Sequence, residues 1–103
     1  MKVCSKTDIG LVRQSNQDAC NGGLFQDGSA WAVVCDGMGG AAGGKLASDL
    51  AASTFLADFR REMMAGSAVE PAMRHACDAA NRAVYDRACA EPDLRGMGTT
   101  IVA

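Results

Sequence analysis

A chain of 103 residues with 12 acidic and 10 basic side chains carries a formal net charge of −2, and has room for one domain with a modest core but not for two. Charges of both signs are interspersed, Arg60-Arg61 being the longest run of one sign, which excludes a basic nucleic-acid face. Hydrophobic residues make up 49% of the chain, yet they fall in stretches far shorter than a membrane span.

Met1 to Lys6 lacks the apolar centre of a signal peptide, so a cytoplasmic protein is expected. The five cysteines, Cys4, Cys20, Cys35, Cys77 and Cys89, are widely and irregularly spaced, with no CxxC pair to clamp zinc or run redox chemistry. They read as free, buried thiols.

Strand signals fill the first third. Lys2 to Ser5 is a short mixed run, Asp18 to Phe25 is interrupted by Asn21-Gly22-Gly23, and Ala30 to Cys35 is apolar. Asp27-Gly28 between the last two predicts an antiparallel hairpin, because glycine accepts the positive φ of the turn.

From Gly44 the period becomes helical. Leu46, Leu50 and Ala57 fall near one face with Ala47, Ala51, Phe55 and Phe59 beside them, which predicts a helix to about Met64 that stops at Gly66. A second helix is expected with Ser67 as its cap and Glu70 completing a capping box; it runs to Ala90, and Pro92 ends it. Small residues on both helices predict a close antiparallel pair.

Gly96 to Ala103 reads as a turn entering a β-branched strand. The chain stops inside that strand, so the sequence is expected to be part of a longer domain.

Asp36 is the most informative residue. It leaves an apolar strand where Gly37-Met38-Gly39-Gly40 turns the backbone, a position poor for packing and good for holding a hard cation. Asn16-Gln17-Asp18 lies before the preceding strand, so strand pairing would bring Asp18 and Asp36 within reach of a common Mg²⁺ or Mn²⁺, with the Gly37 carbonyl as a further ligand. Arg13 adds a guanidinium fork for two phosphate oxygens, and the set suggests phosphate-ester hydrolysis by direct attack of water. Taken singly, Asp18 reads first as a turn or cap residue and Arg13 first as a solvated surface cation, while Asp36-Gly37 reads equally as the start of a turn into a helix.

Other readings have less support. Gly37, Gly39 and Gly40 loosely resemble GxGxxG, but Asp36 would repel a pyrophosphate, and no GK[ST] is present for a P-loop. His75, the one histidine, reads as a helix-face residue without a catalytic role. Ser5, Ser15 and Ser48 have no histidine base near them in the pattern.

Four ordered segments carry a family resemblance. Thr7-Asp8-Ile9-Gly10 through Arg13-Gln14-Ser15-Asn16-Gln17-Asp18, then Val33-Val34-Cys35-Asp36-Gly37-Met38-Gly39-Gly40, then Gly43-Gly44-Lys45-Leu46-Ala47-Ser48, then Gly96-Met97-Gly98-Thr99-Thr100, resemble the first motifs of the bacterial PPM-type (type 2C) metal-dependent serine/threonine phosphatases. That resemblance implies an α+β fold: the N-terminal part, residues 1–103, of an α/β/β/α sandwich of antiparallel strands, with the two helices as one antiparallel pair. It implies that Asp36 bridges two Mn²⁺ or Mg²⁺ ions, the Gly37 carbonyl binds one of them, Asp18 holds a metal-bound water and Arg13 grips the substrate phosphate. The implied partners are phosphorylated proteins, targets of a serine/threonine kinase.

Three residues depart from the family pattern. Gln17 stands where many members have glutamate, Ala41 where bacterial members commonly have histidine, and Lys45 where glutamate is frequent. The later aspartates of the family lie beyond this sequence, so the chain alone is expected to bind metal weakly and to hydrolyse phosphate esters poorly or not at all. The alternative is a non-catalytic pseudophosphatase, or a binding module that forms a homodimer through unfinished sheet edges.

Overall fold

A computed structural model describes residues 16–39 and 43–103 of the chain. Strands β1 (Asp18–Leu24) and β2 (Ala30–Met38) form an antiparallel hairpin whose register runs from Asp18 opposite Asp36 to Leu24 opposite Ala30. The turn is where Asp27-Gly28 predicts it. The Asp27 carboxylate accepts hydrogen bonds from the Ser29 N–H (2.9 Å) and hydroxyl (2.6 Å), and Gly28 has φ +87°. The expected interruption at Asn21-Gly22-Gly23 does not occur, because pairing with β2 outweighs the poor strand propensity of glycine. Gly23 lies opposite Trp31, and the indole covers it so closely that a Cβ would sit 2.9 Å from the ring.

The apolar run of β2 is buried on one side only. Val33, Cys35 and Gly37 face inward, whereas Ala32, Val34, Asp36 and Met38 are exposed on the outer face. Desolvation at this inward position raises the Cys35 thiol pKa, so Cys35 is an inert packing residue. Cys77 and Cys89, read from the sequence as buried, are exposed.

Strand β3 is short, Gly98–Thr99, and pairs with the end of β2 through Gly37 opposite Thr99, giving the sheet order β1-β2-β3. The C-terminal strand expected from the sequence is interrupted after Thr99 and resumes as a bridge between Val34 and Val102. At the interruption the Thr100 hydroxyl oxygen accepts the Asp36 N–H (3.1 Å), substituting for a backbone acceptor of the ladder.

Helix α1 (Gly43–Met64) packs against all three strands on one side and against α2 (Val69–Ala90) on the other. It therefore buries a broad set of residues: Ala47, Ser48, Ala51, Ala52, Phe55, Asp58 and Phe59. Ala57, expected in the apolar stripe, is exposed. Phe59 stacks on Phe55 and meets Phe25 edge to face at 5.9 Å, closing the core at the hairpin end. Helix α2 buries Ala72, Ala76, Ala80 and Val84, a stripe of small residues at steps of four that lets the two helices approach closely.

Gly66 ends α1 with φ +91° and its N–H on the Met63 carbonyl, as predicted. The expected capping box does not form. The cap of α2 is Ala68, which makes no side-chain bond, while the Ser67 hydroxyl donates back to Glu62 at 3.0 Å. Beyond α2, Pro92–Leu94 forms one 3₁₀ turn, and Leu94 and Met97 are buried. The predicted strand at Lys2 to Ser5 lies outside the described residues.

Candidate metal centre

The β1–β2 register decides the site. Asp18 opens β1 and stands directly opposite Asp36 near the end of β2, so the two side chains leave the same, outer face of the sheet as cross-strand neighbours. One oxygen of Asp18 is buried without a hydrogen-bond partner, an arrangement that costs free energy unless a cation or an ordered water fills it. Asp36 is exposed, and its backbone is fixed on both sides: its N–H on the Thr100 hydroxyl and its carbonyl accepting the Thr100 N–H at 2.9 Å.

Gly37 follows on the inner face, where its N–H donates to the Gln17 carbonyl at 3.0 Å. No side chain fits there. A Cβ at Gly37 would overlap the Gly44 carbonyl oxygen in the first turn of α1 and lie 2.5 Å from the Gln17 carbonyl oxygen. The glycine thus lets helix, strand and the segment entering β1 meet at one point, beside the two carboxylates.

Gln17 and Lys45 brace this junction. The Gln17 amide donates to the Gly39 carbonyl at 3.2 Å, which an ionised glutamate cannot do, so the neutral side chain at this position holds the glycine turn. Lys45 donates to the Asp18 carbonyl at 2.8 Å and pairs with Asp49 at 3.2 Å, tying the start of β1 to α1. Neither role is legible from the sequence, where both residues stand out as departures from a family pattern. Asn16 completes the entry to β1 by accepting the Asp18 N–H at 3.0 Å.

The sequence-predicted Asp18, Asp36 and Gly37 are thus brought together at one corner of the sheet. Arg13, Gly40 and Ala41 lie outside the described residues. Two juxtaposed carboxylates, one with an orphaned buried oxygen, beside a glycine turn are oxygen donors of the kind that hard divalent cations take. The residues present fit such an ion.

The protein phosphatase 2C model matches residues 12–103. The chain belongs to this family. It is 37% identical over 103 residues to the serine/threonine phosphatase stp of Listeria monocytogenes, covering 95% of this chain and 40% of that protein. The crystal structure of the Mycobacterium tuberculosis serine/threonine phosphatase PstP superposes with a TM-score of 0.74 at 35% identity, over 93% of this chain and 38% of that one. The PstP catalytic domain in complex with two manganese ions matches with a TM-score of 0.75 at 34% identity, over 93% and 39%. The two helices and three antiparallel strands described here form an α+β unit that matches part of that domain, and the chain spans about two fifths of the length of these relatives.

Proposed function

We propose that the chain supplies part of the catalytic centre of a serine/threonine protein phosphatase that uses Mn²⁺ or Mg²⁺ to hydrolyse phosphoserine and phosphothreonine in proteins. The observation that carries this reading is the pairing of Asp18 with Asp36 on one sheet face, with the Asp18 oxygen buried and unpartnered. Membership of the family and the two manganese ions in the PstP relative support it.

In this proposal Asp36, Asp18 and the Gly37 carbonyl hold the ions. Bound there, divalent ions lower the pKa of a coordinated water and neutralise charge on the phosphoryl group. Gly37 and Gln17 set the backbone so that the Asp36 carboxylate stays at the sheet corner. Arg13 binds two phosphate oxygens through its guanidinium fork and so orients the ester for in-line displacement. The substrates are phosphorylated proteins.

Hydrolysis of p-nitrophenyl phosphate with added Mn²⁺ tests the reading. Asp36→Ala should lower kcat/KM by about a hundredfold or more, corresponding to about 3 kcal/mol of lost transition-state stabilisation. Equal rates would remove the enzymatic reading and leave the non-catalytic alternative.

A further inference from the structure

A second group of ligand-type side chains lies between the helices, away from the sheet corner. Asp58 and Glu62 are one turn apart on α1, and His75 on α2 reaches across to them. His75 Nδ1 is 2.5 Å from Asp58 Oδ2 and 3.5 Å from Glu62 Oε1. One ligand atom from each of the three residues lies within 4.8 Å of the others. Among the described residues, no other group of three histidine, cysteine or carboxylate side chains comes this close.

Two further observations separate this group from a chance surface ion pair. Asp58 is only 6% exposed, the one charged residue among those that α1 buries. Each carboxylate is also oriented from behind: Arg61 holds Asp58 Oδ1, and the Ser67 hydroxyl donates to Glu62 Oε2 at 3.0 Å, so the remaining oxygen of each faces His75. Outer partners of this kind fix the ligands of metal centres. They also account for Ser67, which the sequence suggests as a helix cap and which instead orients Glu62.

We propose that Asp58, Glu62 and His75 form a Zn²⁺ site that clamps α1 to α2, separate from the Asp18–Asp36 centre. An imidazole nitrogen with two carboxylate oxygens suits zinc, and Mg²⁺, which prefers oxygen alone, is a poor occupant. With zinc about 2.0–2.1 Å from each ligand, tetrahedral geometry separates the ligand atoms by about 3.3 Å. The His75–Glu62 separation is already close to that value. The His75–Asp58 contact has to open by roughly 0.8 Å, which a half-exposed imidazole at the rim of the helical pair accommodates by a small rotation. Zinc replaces the proton that His75 shares with Asp58, and water completes the coordination from the exposed side.

The test uses the 103-residue chain in excess Mg²⁺ at mildly alkaline pH, titrated with Zn²⁺. Equilibrium dialysis with metal analysis should find one more bound Zn²⁺ in the wild type than in His75→Gln or Glu62→Gln. Zinc at about ten times its dissociation constant should raise the melting midpoint of the wild type by about 5–10 °C and leave the variants unmoved. Nitrogen NMR of labelled histidine in the wild type, which needs no variant, should show the His75 Nδ1 resonance shift on zinc addition. Equal zinc content in wild type and variants, or an unshifted Nδ1 resonance, would overturn the proposal and leave an ordinary hydrogen-bonded ion triad.

Discussion

Gly37 is held by sterics more than by turn geometry. Its missing Cβ is the space in which the Gly44 carbonyl and the Gln17 carbonyl sit, and both are backbone atoms that cannot swing aside. Gly37→Ala should therefore destabilise the chain by about 2 kcal/mol and lower its melting midpoint by about 8–16 °C. A thermal unfolding curve unchanged by the substitution would show that α1 does not pack there. At the opposite end of the hairpin, the Ser29 hydroxyl and N–H, as hydrogen-bond donors, hold the Asp27 carboxyl pKa below its ordinary value of 3.8. A depressed carboxylate pKa stabilises the turn above the unfolded value and loses that contribution as pH falls through the folded one. Acidification below about pH 4 should accordingly lower the protection factor of the Ser29 amide, measured against its intrinsic exchange rate at each pH, and Asp27→Asn should remove that pH dependence.

At the scale of elements, the helical pair rests on shape more than on caps. Helix α2 starts at Ala68, in extended backbone with φ −68° and ψ 159°, and its cap residue makes no side-chain hydrogen bond to the first N–H groups. Ala68→Asp should add that missing bond and a favourable charge at the helix N-terminus, raising stability by about 1 kcal/mol and the melting midpoint by about 4–8 °C. A midpoint unmoved by Ala68→Asp would place the true cap elsewhere. The small-residue stripe is the opposite case: Ala76 is fully buried, and Ala76→Leu should lower stability by about 1–3 kcal/mol in a denaturant melt, because the neighbouring helix backbone leaves no room for three more carbons.

For the whole molecule, the charge available at the sheet corner limits the strength of the metal binding proposed there. Among the described residues only Asp18 and Asp36 offer carboxylates there, too little negative charge for two divalent ions held close together. Calorimetry on the 103-residue chain should find Mn²⁺ affinity at that corner on the order of a millimolar, weakened further by Asp36→Ala. Tight stoichiometric binding abolished by Asp36→Ala would contradict this. On the same sheet face Val34 (49% exposed) and Met38 (56% exposed) flank Asp36 along β2, so the strand is apolar on either side of the carboxylate while Asp18 stands across from it.

Much of this was legible in the residues. Local signals with a fixed geometric cost marked the hairpin at Asp27-Gly28, the stop of α1 at Gly66 and the end of α2 before Pro92, because φ-restricted and φ-permissive residues act within a few positions of themselves. Asp36-Gly37 marked the place where β2 meets the glycine turn for the same reason, although by itself that pair reads equally as the start of a turn. What the sequence could not fix depends on partners distant in the chain. Tertiary structure alone set Asp18 opposite Asp36, since a register shift by one residue would have turned the two to opposite faces. It alone made Gln17 a brace, Ser67 an orienting donor and His75 the third member of a group with Asp58 and Glu62, because those contacts join segments that come together only when the helices and the sheet have packed.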